Sequence, residues 1–190
     1  MSFMFQNCKS LLNLDLSSFK ESKVITTRQM FYGCNSLETL NISNFDTSNV
    51  TTMYCMFSGC SNLKSINLSS FDTSNVTNMN SVFSYCSSLE NLDLSNFNTS
   101  KVTTMSTMFY GCNSLTKLDL SSLDTSNVTT MYGMFTLCKN LKTIYVSDKW
   151  NTSNVTSSSF MFQSCTFLAG AVPFDSTKTD VSMANYTNGY

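Results

Sequence analysis

The chain has 190 residues, a net charge of -1, 12% charged and 42% hydrophobic residues, eight cysteines, no histidine and one proline. This balance offers no basic stripe for nucleic acid and no polybasic segment for an anionic membrane surface. With neither histidine nor a C-x-x-C pair, it supplies no zinc site and no base to activate a nucleophile, so a protein without enzymatic activity, cofactor or metal is expected.

In chain order, residues 1–7 lack the charged start and apolar run of a signal peptide. They read as the end of a preceding unit, with Met4 and Phe5 as its M-F pair. The chain is therefore expected to begin inside an array, as an excised fragment or a naturally open end, without the cap that solenoids generally need. Residues 8–33 form the most divergent unit, in which Lys20-Glu21-Ser22-Lys23 replaces D-T-S-N. Residues 34–137 hold four strong units. In 138–164 the pattern drifts, with Tyr145, Lys149 and Trp150 appearing and Ser157-Ser158-Ser159 replacing T-x-M. From Cys165 it decays, and Pro173 stands where a strand would end. The expected division is an array of about six 26-residue units over 1–164, the first partial, and a degenerate last repeat with a capping segment over 165–190. No stretch is long and apolar enough to span a membrane as a helix.

A column of cysteines marks the period: Cys8, Cys34, Cys60, Cys86, Cys112 and Cys138 are 26 residues apart, and Cys165 follows after 27. A fixed period of this length means a solenoid, and the coil count exceeds the ~3 needed for stability. Leu37, Leu40 and Ile42 and their equivalents give L-x-x-L-x-L, the strand signature of a leucine-rich repeat. The last two are two apart, so both point to one side of a strand. Stacked coils pair these strands into a parallel sheet at ~4.8 Å per coil. Phe45, Val50, Met53 and Phe57, with their columns, supply an apolar second half. The M-x-x-M-F spacing suits a short helical turn, ended by Gly33, Gly59 or Gly111. The fold class expected is thus an α/β-type repeat solenoid, with a parallel β-sheet on one face and short helical turns or irregular coil on the other. The cysteine column reads as small buried hydrophobes, although adjacent members approach disulfide distance in such a stack. Cys55 lies outside the column, opposite Ser81, Thr107 and Gly133 in sister units, and is expected to be the most exposed thiol.

The motif F-x-G-C-x-S-L-x-x-L-x-L-S-x-F-D-T-S-N-V-T-x-M-x-x-M-F, nearly complete at 57–83 and 109–135, resembles the 26-residue leucine-rich repeats of BspA-like bacterial surface proteins. The resemblance covers essentially the whole chain. The tail 175–190 is similar to the segment that closes such arrays, where a parent often continues into further surface modules. It implies an extracellular or cell-surface setting, reached through parent segments absent from this chain. One departure is that Phe45 and its column take the general place of the internal Asn or Cys of commoner leucine-rich repeats.

In leucine-rich repeat proteins the outward strand positions commonly bind partners. Here these are Asn13, Asp15, Thr39, Asn41, Ser65, Asn67, Asn91, Asp93, Lys117, Asp119, Thr143 and Tyr145, a polar and mildly acidic set. A merely solvated sheet and a calcium site on its oxygen ligands are the other readings of that face. The serine column Ser17, Ser43, Ser69, Ser95, Ser121 and Ser147 reads as turn chemistry rather than a nucleophile array. Asp46, Asp72 and Asp124 read as Asx turns. The threonines Thr51, Thr77, Thr103, Thr129 and Thr156 would suit ice binding only on a flat face. Tyr32, Tyr54, Tyr110 and Tyr132 suit carbohydrate or protein contact, or edge packing. The leading expectation is a non-enzymatic module that binds a protein or glycan of a host or neighbouring cell. The alternative is a structural spacer displaying other domains. No nucleic acid and no direct membrane insertion are expected, and exposed terminal coils favour end-to-end self-association.

Overall fold

A computed structural model describes residues 1–19 and 23–184. Of the divergent stretch in the first unit, Lys20, Glu21 and Ser22 lie outside the described residues, as do residues 185–190 of the tail.

The chain coils into a solenoid whose period sets every inward column in register. Strand β1 (Asn13–Asp15) pairs in parallel with β2 (Thr39–Asn41), and β3 (Lys117–Asp119) with β4 (Thr143–Tyr145). Each pairing joins equivalent residues of neighbouring units, such as Leu14 with Leu40 and Leu118 with Ile144. The two middle units present the same positions without strand hydrogen bonds. The longer ladder lies elsewhere. Parallel bridges run unbroken through Thr26, Thr52, Asn78, Thr104, Thr130 and Ser157, on the segment after the valine column.

Inside, a single core runs the length of the stack. Phe5, Phe31, Phe57, Phe83, Phe109, Phe135 and Phe162 stack face to face, with centroids 5.5–5.9 Å apart and planes within 7° of parallel. That separation exceeds the ~4.8 Å spacing of hydrogen-bonded strands, so the rings are inclined and offset, the favourable arrangement for π faces. A second aromatic column passes through Phe19, Phe45 and Phe71 at 6.2–6.4 Å. The valines and methionines of the repeat fill the space between.

The cysteine column is buried from Cys34 onward, and all eight cysteines are free thiols. Each column thiol from Cys34 to Cys165 donates to the carbonyl of the column phenylalanine one unit earlier, Cys86 to Phe57 and Cys138 to Phe109 among them, at 3.0–3.2 Å. Desolvation pushes the Cys34 thiol up to about 11 and those of Cys86 and Cys165 up to about 12. Cys55 departs from expectation. It is buried, and only Cys8 of the eight retains intermediate exposure. Its backbone is left-handed, with φ 53°, which turns the small side chain inward. The same left-handed position holds Gln29, Ser81, Thr107 and Gly133 in other units and an exposed Phe3 and Phe160 toward the two ends, so the shared feature of that column is its backbone conformation, not access to solvent.

The M-x-x-M-F segments are not helical, and this corrects the expectation of helical turns. Met30, Tyr32 and Cys34 N–H groups bond back to Thr27, Gln29 and Phe31 carbonyls, closing three chained turns. The alternate N–H groups of Gln29, Phe31 and Gly33 donate to Tyr54, Met56 and Ser58 in the next unit at 2.8–2.9 Å. A helix would consume all these donors internally and leave nothing to bind one coil to the next. The geometry needs a left-handed residue every fourth position, supplied here by Gln29 (φ 53°) and Gly33 (φ 70°). Glycine is the natural occupant, yet Ser81, Tyr85, Thr107 and Leu137 hold the same conformation. Among the described residues the one helix is a 3₁₀ turn at Val181–Met183.

Near the end of the array, Phe162 N–H donates to Thr179 O at 2.9 Å and Trp150 Nε1 to Ala184 O at 2.9 Å. These bonds hold the segment through Ala184 against the last coil.

Candidate functional site: the strand face

The period-2 alternation of the four strands turns eight of the twelve expected residues to one side, and the other four hold the equivalent positions in the two middle units. Eleven are exposed and Thr143 is half-buried. Asn13 and Asp15 stand beside Thr39 and Asn41, and Lys117 and Asp119 beside Thr143 and Tyr145, in the strand register. Ser65, Asn67, Asn91 and Asp93 lie between these pairs, exposed but outside any strand.

The acidic side chains are not free ornaments. Asp15, Asp93 and Asp119 each accept the N–H of the serine two residues on, at 2.8–2.9 Å. Asn41 and Asn67 do the same for Ser43 and Ser69. The serine column thus serves turn chemistry, with its backbone N–H as the donor. Side-chain and backbone hydrogen bonds from these serines hold the Asp93 and Asp119 carboxyls below the usual carboxylate range. The face therefore keeps its negative charge into mildly acidic solution.

The structure gathers part of the set around one depression. Asn91, Asp93, Lys117, Asp119 and Tyr145, with the edge of Leu92, line a hollow of about 270 Å³. Smaller hollows continue from it along Asp93, Ser95 and Ser121, and along Asn67, Ser69 and Asn96. Tyr145 is 51% exposed at one end, a large amphipathic side chain with nothing laid over it. Asn13, Asp15, Thr39, Asn41, Ser65 and Thr143 stand outside this depression. No group of three or more His, Cys, Asp or Glu suited to a metal ion occurs among the described residues.

Two features were missed by the sequence reading. The D-T-S-N threonine is buried: Thr47, Thr73, Thr99 and Thr125 donate to the next unit's carbonyls at Asp72, Asn98, Asp124 and Asn151, at 2.8–2.9 Å. They perform the internal bonding that commoner leucine-rich repeats assign to Asn, beside the phenylalanine column. The invariance of that threonine between an Asx residue and a serine was the available signal. The second feature is a larger hollow on another edge, over Gly33 and Gly59.

With this geometry in view, the family is decided by a match over residues 1–117 and 86–189 to a family model described as "Mycoplasma protein of unknown function, DUF285". The chain belongs to that family. Its likeness to BspA-like leucine-rich repeats stands with it. No curated protein matches the chain. Among solved structures it is similar to a leucine-rich repeat protein of T. pallidum, at 17% identity over 89% of this chain and 71% of that one, with a TM-score of 0.47. A leucine-rich repeat protein of Bacteroides ovatus matches at 21% identity over 90% and 68%, with a TM-score of 0.39. A leucine-rich cell surface protein of Faecalibacterium prausnitzii matches at 18% over 84% of this chain but 42% of its own length, with a TM-score of 0.38. The DUF285 chain is a repeat solenoid on its own coil geometry.

Proposed function

We propose that this DUF285 chain is a non-enzymatic recognition module of an extracellular, cell-surface protein. It binds a protein or glycan of a host or neighbouring cell through the strand face. The observation that carries the reading is the hollow where Tyr145 and Lys117 meet the carboxylates of Asp93 and Asp119. Exposed tyrosine anchors beside polar groups are the usual makings of an interface centre. Affinity would come from many modest contacts summed over coils. Catalysis is not favoured, because the chain contains no histidine and its strand-face carboxylates are engaged in turn bonds.

The test is a surface-binding screen of the purified chain against immobilised matrix proteins and a glycan panel. A saturable hit should weaken at least tenfold in the double variant Asp93→Arg/Tyr145→Ala, which should still melt as a cooperatively folded chain. Undiminished binding by the folded variant would remove the strand face from the reading. The unbroken phenylalanine column supports a spacer as the second reading, and a folded chain that binds nothing in the screen would favour it.

A further inference from the structure

The edge that carries the chain from the last left-handed turn into the strand has one residue per unit at the same conformation: Asn7, Gly33, Gly59, Tyr85, Gly111, Leu137 and Ser164, all at φ between 58° and 80°. A side chain at this position lies over the next unit. Asn7 Oδ1 occupies the space a Cβ at Gly33 would take, and Tyr85 lies where a Cβ at Gly111 would meet Cδ1 at 3.0 Å. Two adjacent units, at Gly33 and Gly59, have no side chain to lay down. A Cβ at Gly59 would meet only the Gly33 backbone, at 3.3 Å. The result is a groove of about 430 Å³, closed at its ends by Asn7 and Tyr85. That volume falls within the ~300–1,000 Å³ of ligand clefts.

The lining narrows the ligand. Amides and hydroxyls from Asn7, Asn35, Ser61 and Ser87 face the groove with one ammonium, Lys9, and no carboxylate. A metal ion would lack oxygen anions there, and a phosphate would find a single cation. Ser61 and Ser87 hydroxyls donate to the carbonyls of Asn35 and Ser61, at 3.1 and 3.3 Å, so their oxygens remain as acceptors. Tyr85 is 52% exposed. Its ring is steadied by Tyr110, with centroids 5.0 Å apart. An aromatic platform fixed in advance, beside neutral donors and acceptors, matches a sugar ring, which has an apolar face and a rim of hydroxyls.

We propose that the groove over Gly33 and Gly59 binds a neutral oligosaccharide, with Tyr85 as the stacking platform. The site lies on a different edge from the strand face and stands or falls independently of it. The experiment is saturation-transfer NMR of the full chain with maltotriose, triacetylchitotriose and lacto-N-tetraose, together with amide spectra of the ¹⁵N-labelled protein. At least one sugar should receive saturation and shift the Gly33 and Gly59 amides. Gly59→Leu places in the groove the side chain that Leu137 already carries at the equivalent position, and it should abolish the transfer. Tyr85→Leu should weaken it about tenfold. Asp93→Arg/Tyr145→Ala should leave it unchanged. No transfer from any of the three sugars, or transfer that survives in a folded Gly59→Leu, overturns the proposal. Loss in the strand-face variant alone also overturns it, by placing the sugar on that face.

Discussion

The turn side of the solenoid and its strand side are built from the same period and do different work. On the turn side every unit bonds to the next. The bridges run from Thr26 to Ser157 without a gap, and the threonines Thr51, Thr77, Thr103, Thr129 and Thr156 add hydroxyl bonds to the preceding unit's carbonyls at 3.1–3.4 Å. On the strand side pairing is confined to the two ends. The coils are therefore held in register by the turns, the stacked phenylalanines and the buried threonines. The strand face is relieved of that duty, and its outward residues change in chemistry from unit to unit while the inward ones stay aliphatic. In a one-dimensional stack, stability is a sum of unit and neighbour terms, so the interior of any coil matters more than its outward surface.

The largest expected effect breaks the comparison at the core. Phe83 stacks between Phe57 and Phe109 at 5.7 and 5.9 Å and is 1% exposed. Phe83→Ala should destabilise the chain by about 3–5 kcal/mol, read as a fall in urea midpoint. The strand-face double variant, by contrast, loses only the exposed turn bond from Ser95 N–H to Asp93 and should fall by no more than about 1 kcal/mol. Equal losses in the two would mean that the strand face, too, holds the stack together.

A smaller loss sharpens the same contrast within one unit. Thr99 is 1% exposed and donates to Asp124 O at 2.8 Å. Thr99→Val keeps the shape and removes the hydroxyl, leaving the partly buried Asp124 carbonyl without this donor, at about 1–2 kcal/mol. The equivalent change at exposed Thr103, whose hydroxyl bond to Thr77 O is 3.2 Å, should be close to neutral. A thermal melt of each variant decides it, and similar shifts would show that the buried threonine ladder has no special role.

How much of this was legible beforehand follows from what a period can encode. Apolar columns repeat because the core repeats, so Leu40, Phe45, Val50, Phe57 and Cys60 could be placed inside from spacing alone, and the outward set from Asn13 to Tyr145 from the period of two. Asp46, Asp72 and Asp124 were placed as Asx turns, and each does accept the N–H two residues on at 2.9 Å. Backbone handedness carries no apolar signature. The left-handed positions were visible only as glycines at Gly33, Gly59, Gly111 and Gly133 in columns that elsewhere hold Tyr85, Leu137 or Cys55, and that mixture was read as exposure or as a helix end. Nor does a column of outward residues disclose a hollow. The clustering of Lys117 and Tyr145 with Asp93 depends on how side chains lie across neighbouring units.

The thiols give the finest test of the contrast, because each reports the dryness of one coil. Cys86, Cys112 and Cys138 are at most 1% exposed, and desolvation raises all three above the ordinary thiol value of 9.0. A raised folded pKa means that the unfolded chain loses its proton first. Stability from this source is complete below pH 9 and declines as pH rises toward the folded value, about 12 for Cys86. The slope is about 1.4 kcal/mol per pH unit for each thiol still protonated in the fold. Cys86→Ala should therefore flatten the alkaline decline by about that amount per unit, measured as urea midpoints between pH 9 and 10.5, whatever its cost at neutral pH. Thiol labelling of the native wild type should reach Cys8 first and the other seven only on denaturation. If Cys86→Ala leaves the alkaline slope unchanged, or if the column labels in the folded chain, water reaches the interior between coils, and the turn side does not seal the stack as its hydrogen bonds imply.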